Sequence, residues 1–168
     1  MKLSTKAVRA GEQPEAITGA VTTPIFQTAT YALDQVGVLK GKGLWPDGFD
    51  YSRVSHPTKA VLENKLCQLE GGKRCLAFSS GMAAITALMH TLKARDHIIF
   101  SEDVYGGIHR LLKQVLNKFG LESDFIDTNN LELVQNTIRE NTKMLFVETP
   151  TNPLLIVYDI RALAKLAA

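Results

Sequence analysis

Two hydrophobic rhythms run through the later two-thirds of the chain and are missing from the first third. From Thr58 onward, apolar residues recur every three to four positions in some segments and form short compact runs in others. The first spacing marks one face of a helix, and short apolar runs bounded by polar or glycine residues mark strands buried on both faces. Helices are predicted over 58–70, 81–93, 105–119 and 130–140, with another opening at Asp159, which reads as an N-cap. Strands are predicted over 74–78, 97–100, 122–127 and 144–148. Such alternation predicts an α/β fold, a mostly parallel sheet with flanking helices joined by right-handed crossovers. Residues 1–57 are rich in Thr, Gly and Pro without a period, as in Thr22-Thr23-Pro24-Ile25-Phe26-Gln27-Thr28, and read as an irregular arm.

Composition narrows the class without changing the fold. The chain has 168 residues, 45% hydrophobic and 21% charged, enough to bury a core as a globular unit. Its 19 basic residues nearly balance its 17 acidic ones, and no Lys/Arg run offers a nucleic-acid or membrane surface. The start, Met1-Lys2-Leu3-Ser4-Thr5-Lys6, lacks an apolar leader segment, so the protein is expected in the cytoplasm. Cys67 and Cys75 lie in apolar surroundings and are expected to be buried, reduced thiols.

In open parallel sheets a ligand binds beyond the carboxyl ends of the strands, which directs attention to the loops beginning at Ser79, Ser101, Asp127 and Thr149. Ser79-Ser80-Gly81-Met82-Ala83-Ala84 joins a strand to an apolar helix, so the amides of Gly81 and Met82 form a phosphate cradle at the positive end of the helix dipole. Taken alone, Ser-Gly before a helix is more often an ordinary N-cap. Tyr105, in Ser101-Glu102-Asp103-Val104-Tyr105-Gly106-Gly107, offers a flat ring for stacking. Glu148-Thr149-Pro150-Thr151-Asn152-Pro153 brackets Asn152 between prolines in a rigid turn.

These motifs, with Tyr51-Ser52-Arg53-Val54-Ser55-His56-Pro57-Thr58, Leu69-Glu70-Gly71-Gly72 and Gly19-Ala20-Val21-Thr22-Thr23-Pro24-Ile25, together resemble the Cys/Met-metabolism family of pyridoxal-phosphate (PLP) enzymes. That family includes cystathionine γ-synthase, cystathionine β- and γ-lyases, methionine γ-lyase and O-acetylhomoserine sulfhydrylase. The resemblance implies an aminotransferase-like (fold type I) large domain, here incomplete: residues 58–168 as the first part of the PLP-binding α/β domain, and 1–57 as an arm contacting a neighbouring subunit. It implies that Gly81 and Met82 bind the PLP phosphate, that Tyr105 stacks on the pyridine ring and assists proton traffic, and that Asn152 lies near the ring's phenolic oxygen. Tyr51 and Arg53 would reach a neighbour's phosphate, a role that suits Arg's planar fork. Tyr105 and Tyr51 are the residues expected to act in catalysis. His56 stands where the family usually has Asn, and is expected to donate a similar turn hydrogen bond.

The resemblance also implies a lysine that carries the cofactor as an imine and an Asp on the pyridine nitrogen, both beyond the Asn-Pro loop. The chain reaches Ala168 before either, so it is expected to be the amino-terminal part of a transsulfuration-type C–S lyase or γ-replacement enzyme and inactive alone. Full-length relatives would remove the α-proton of a sulfur-containing or homoserine-derived amino acid and eliminate or replace a β or γ substituent, as homo-oligomers (dimers of dimers). The stretch from Val38 to Gly48 is a candidate for the site entrance. Competing classes fare worse: no G-x-G-x-x-G follows the first strand, no G-x-S-x-G elbow surrounds Ser79 or Ser80, and His56, His90, His97 and His109 lack metal-ligand spacing. The alternative is a non-catalytic dimerisation or interaction fragment.

Overall fold

The structure, a computed structural model, describes residues 2–33, 35–36, 38 and 48–168. Most of the proposed entrance stretch, residues 39–47, lies outside the described residues. The chain forms two compact units, Met1–Ala77 and Phe78–Ala168, so the helix that opens the periodic region belongs with the arm.

In the first unit, α1 (Leu3–Arg9) packs with α2 (Pro57–Glu70). The arm therefore carries one helix that the irregular reading missed. Gly11, at φ +73°, follows α1, and a Cβ there would lie 2.8 Å from the Lys65 backbone nitrogen, so only glycine allows this approach. Lys65 pairs with Glu12 across the same contact. Thr58 holds the Pro24–Phe26 segment, its hydroxyl oxygen accepting from the Phe26 amide at 3.1 Å. Helix α2 starts on Pro57, which has no amide to lose, and stops at Gly71, left-handed at φ +68°. The Gly72 amide then donates back to the Cys67 carbonyl at 2.9 Å, closing the helix end. Cys67 and Cys75 are free thiols but only half-buried, because the turn between them sits at the surface. His56 makes no capping hydrogen bond through its side chain; its ring lies edge-on to Tyr31 at 6.4 Å.

The predicted strand 74–78 joins no ladder. Its Ala77 amide donates to Glu63 of α2 at 2.8 Å instead, and Leu76 stays exposed.

The second unit is built on a parallel sheet of β1 (His97–Ser101), β2 (Glu122–Ile126) and β3 (Thr142–Phe146), in the order β2-β1-β3. Central β1 is buried throughout, as its continuous apolar run requires. Alternate residues feed two cores. Ile98, Phe100, Phe125, Met144 and Phe146 face α3 (Gly81–Met89) and α4 (Gly106–Arg110), with Met89, Ile108 and Leu112. Ile126, Leu145 and Val147 face α5 (Leu131–Thr137) and α6 (Ile160–Leu166), with Val134 and Leu163. Because the chain leaves β1 toward one face and β3 toward the other, the topological switch point, where parallel sheets hold a ligand crevice, lies outside their carboxyl ends.

Helix lengths differ from expectation for local reasons. After Arg110 the predicted single helix widens into a π turn (Leu111–Val115) and tightens into a 3-10 turn (Leu116–Phe119). Its buried residues Ile108, Leu112 and Leu116 fall every fourth position, which drifts off a 3.6-residue turn; the wider turn brings the stripe back onto the sheet. Helix α3 stops at Met89, where the Thr91 hydroxyl takes the Leu88 carbonyl. Helix α5 stops early because the Arg139 amide donates to Thr142 Oγ1 at 2.7 Å, turning the chain into β3 two residues before the predicted start. Asp159 caps α6 as expected, accepting from the Ala162 amide at 3.0 Å. Among the described residues, no helix is long and apolar enough to cross a membrane.

Candidate cofactor site

At the start of α3, Ser80 is the N-cap: its side chain accepts from the Ala83 amide at 3.1 Å, and its carbonyl accepts from Ala84. Ser80 thus satisfies the deeper amides of the first turn. The amides of Gly81 and Met82, at the first two helical positions, have no partner within the helix by geometry and face outward with the dipole's positive end. Gly81 is exposed, does not need a left-handed φ, and a Cβ placed on it would meet nothing within 4 Å. Neither backbone conformation nor packing demands glycine here. What glycine does provide is open space against two unpaired amides, which fits a phosphate.

Tyr105 lies beside this turn. Gly107 is buried, and a Cβ there would fall 2.5 Å from Tyr105 Cε1 and 3.0 Å from Met82 Sδ. The absence of that carbon lets the Tyr105 ring and the Met82 thioether converge over one backbone position. Tyr105 remains 47% exposed, which leaves it accessible to a planar ligand.

The loop after β3 completes the crevice wall. Both Thr149-Pro150 and Asn152-Pro153 are cis. Thr151, 1% exposed, closes the turn on itself: its amide donates to the Ile156 carbonyl at 3.0 Å and its Oγ1 accepts from the Ile156 amide at 2.9 Å. Asn152 therefore stands exposed at the tip of a turn fixed from within. Two carboxylates join this loop to the one carrying Tyr105. Glu148 Oε2 accepts from the Tyr105 amide at 2.9 Å, and Asp103 Oδ2 accepts from the Leu154 amide at 3.2 Å. Sequence reasoning quoted Glu148 and Asp103 within motifs but gave them no role. Their shared position, an acid just past each of two adjacent strand ends, was the available signal.

Tyr51 and Arg53 sit on a turn of the first unit. Tyr51 pairs with Thr30 in an antiparallel bridge, and its carbonyl accepts from the Val54 and Ser55 amides. The Arg53 guanidinium lies 5.4 Å from the Tyr51 ring centroid, a cation-π contact that holds the two exposed side chains together.

The other polar cluster of the second unit lies toward the amino ends of the strands. His97, fully buried, places Nδ1 2.8 Å from the Thr142 hydroxyl and Nε2 3.2 Å from Asp124, where Nε2 makes no hydrogen bond. Arg139 pairs with both Asp124 and Glu122. Burial, and then the Arg139 charge, hold the His97 pKa below the ordinary histidine value, outweighing Asp124.

Comparison with known proteins agrees with the architecture. The profile of the Cys/Met metabolism PLP-dependent enzymes matches residues 4–168. The chain belongs to that family. It is 45% identical over 164 residues to a protein named "Probable cystathionine gamma-synthase" from Herpetosiphon aurantiacus, covering 98% of this chain and 49% of the relative. It is 43% identical to the cystathionine gamma-lyase of Bacillus subtilis, covering 99% and 42% respectively. A crystal structure of cystathionine gamma-lyase from Lactobacillus plantarum complexed with L-serine superposes with a TM-score of 0.89 at 40% identity, over 99% of this chain and 42% of that one. The chain thus spans less than half the length of these relatives. Membership makes the fold the family's PLP-binding α/β architecture and pyridoxal phosphate the family cofactor.

Proposed function

We propose that this chain builds the phosphate and ring cradle of a transsulfuration-type PLP enzyme acting on sulfur-containing or homoserine-derived amino acids. The observation that carries the reading is the capped start of α3, where Gly81 is kept open for no internal reason beside the Tyr105 ring. Gly81 and Met82 donate their amides to the phosphate, where two hydrogen bonds and the helix dipole act together. Tyr105 would orient the ring by stacking and pass a proton at its phenol oxygen. Asn152 would donate its amide to the ring's phenolic oxygen, favouring the ionised form. Tyr51 and Arg53 act as a preassembled pair on the phosphate of a neighbouring copy, so the working enzyme is a homo-oligomer. When bound, PLP supplies the electron sink for chemistry at the amino acid's α-carbon.

None of the segments 101–105, 127–130 and 147–159 that follow the strands contains a lysine. In this reading the 168 residues hold the cofactor through phosphate and ring without covalent attachment, and do not turn over alone. Mixing the purified chain with PLP tests this. Saturable binding with the spectrum of the free aldehyde, and no α-keto acid released from cystathionine or methionine, is expected. Turnover without a second polypeptide would refute the inactivity, and absence of PLP binding would refute the cradle.

A further inference from the structure

The two loops at the mouth of the crevice exchange carboxylates. Asp103, in the loop after β1, accepts from an amide of the loop after β3, and Glu148, just past β3, accepts from an amide of the loop after β1. Glu148 is fastened in turn: its own amide lies 3.4 Å from Ser101 Oγ, which is fully buried at the end of β1. The Glu102 amide ties the same loop to the Ile126 carbonyl of β2 at 2.8 Å. Carboxylates at the mouth of an anion-binding crevice oppose a phosphate by Coulomb repulsion, so their presence calls for a compensating use. Each commits an oxygen to a backbone amide, in the charge-assisted class of hydrogen bond. The amides chosen are those of Tyr105 itself and of Leu154, two residues from Asn152 on the turn closed by Thr151.

We propose that Asp103 and Glu148 are positioning residues, a reciprocal latch that makes the Tyr105 loop and the Asn152 loop one rigid wall for the cofactor ring. The proposal rests on the cradle assigned above but concerns the ring rather than the phosphate. The phosphate-binding amides of Gly81 and Met82 belong to α3 and make no bond to either carboxylate. Opening the latch therefore loosens what holds the ring and leaves the phosphate contacts intact.

The test compares Glu148→Ala, Glu148→Gln and Asp103→Asn with the parent chain, titrating each with PLP and, separately, with inorganic phosphate, and following amide hydrogen exchange. Losing a charge-assisted hydrogen bond that holds Tyr105 predicts PLP affinity about tenfold weaker in Glu148→Ala. Inorganic phosphate affinity should remain within about twofold, since its donors are untouched. Glu148→Gln, which keeps an acceptor oxygen, recovers most of the loss. Exchange at Tyr105 accelerates in Glu148→Ala, and exchange at Leu154 accelerates in Asp103→Asn. Equal loss of PLP and phosphate affinity would show only structural damage and overturn the proposal, as would variants indistinguishable from the parent. If Glu148→Ala does not fold, Glu148→Gln and Asp103→Asn carry the same split between ligands. A parent chain that binds phosphate but not PLP removes the ring-binding role; one that binds neither removes the cradle itself, while the exchange measurements still decide whether the latch exists.

Discussion

The two ends of one parallel sheet use polar side chains in opposite ways. Toward the amino ends, His97, Thr142, Asp124, Arg139, Glu122 and Asn141 pair mostly with one another, with His97 Nε2 left buried without a hydrogen bond. At the carboxyl ends, Asp103, Glu148 and Ser80 bind backbone amides, fixing the course of the chain while Tyr105 and the first amides of α3 stay open to solvent. Side chains paired with one another stabilise a fold. Side chains spent on backbone shape a surface on which other groups remain unpaired. Chemical content alone does not separate a structural cluster from a binding site; the direction of the hydrogen bonds does.

The comparison can be broken or sharpened experimentally. The largest effect should come from the core beneath both ends. Phe100, fully buried and 4.9 Å from the Phe125 ring, should cost about 3–5 kcal/mol when replaced by Ala, read from denaturant midpoints. Next, Asp124→Ala strips His97 and Arg139 of a shared partner and should cost about 1–3 kcal/mol, with phosphate affinity unchanged. A ligand effect there would break the division between the ends. Gly81→Ala should do the reverse: about tenfold weaker phosphate binding, roughly 1.4 kcal/mol, with equal or slightly higher thermal stability, since Ala suits an unstrained helical position.

The smallest effect is that of pH. The folded state holds the His97 pKa below its unfolded value of about 6.5, so above that value both states carry a neutral ring and the stability is complete. As pH falls below it, the unfolded state takes up the proton first and stability declines until the folded pKa is passed. Melting temperatures measured downward from neutral pH should fall in the parent and fall less in His97→Gln.

Much of this was legible in the sequence because it rests on local signals. The Ser80-Gly81 turn, the Asp159 cap, the Gly71 stop and the alternation of strands and helices depend on residues within a few positions of one another. The strand predicted over 74–78 failed because a strand is defined by its neighbour, and the Ala77 amide is taken by Glu63. The π turn after Arg110 was missed because the fourth-position spacing of Ile108, Leu112 and Leu116 calls for a wider turn only when all three must meet the sheet. In the site, the motifs gave roles to Tyr105 and Asn152, but none to the carboxylates that join their loops. Asp103 to Leu154 and Glu148 to Tyr105 are long-range pairs, and nothing within either motif reveals the other.

The central claim is that the carboxyl end, at α3, is where the cofactor's phosphate is held. Amide NMR of the isotopically labelled chain during a titration with PLP tests it most directly. The account predicts that the Gly81 and Met82 resonances move first and farthest, followed by Tyr105, while Glu122, Asn141 and His97 stay in place. Shifts centred on the His97 cluster, with Gly81 and Met82 unmoved, would contradict it.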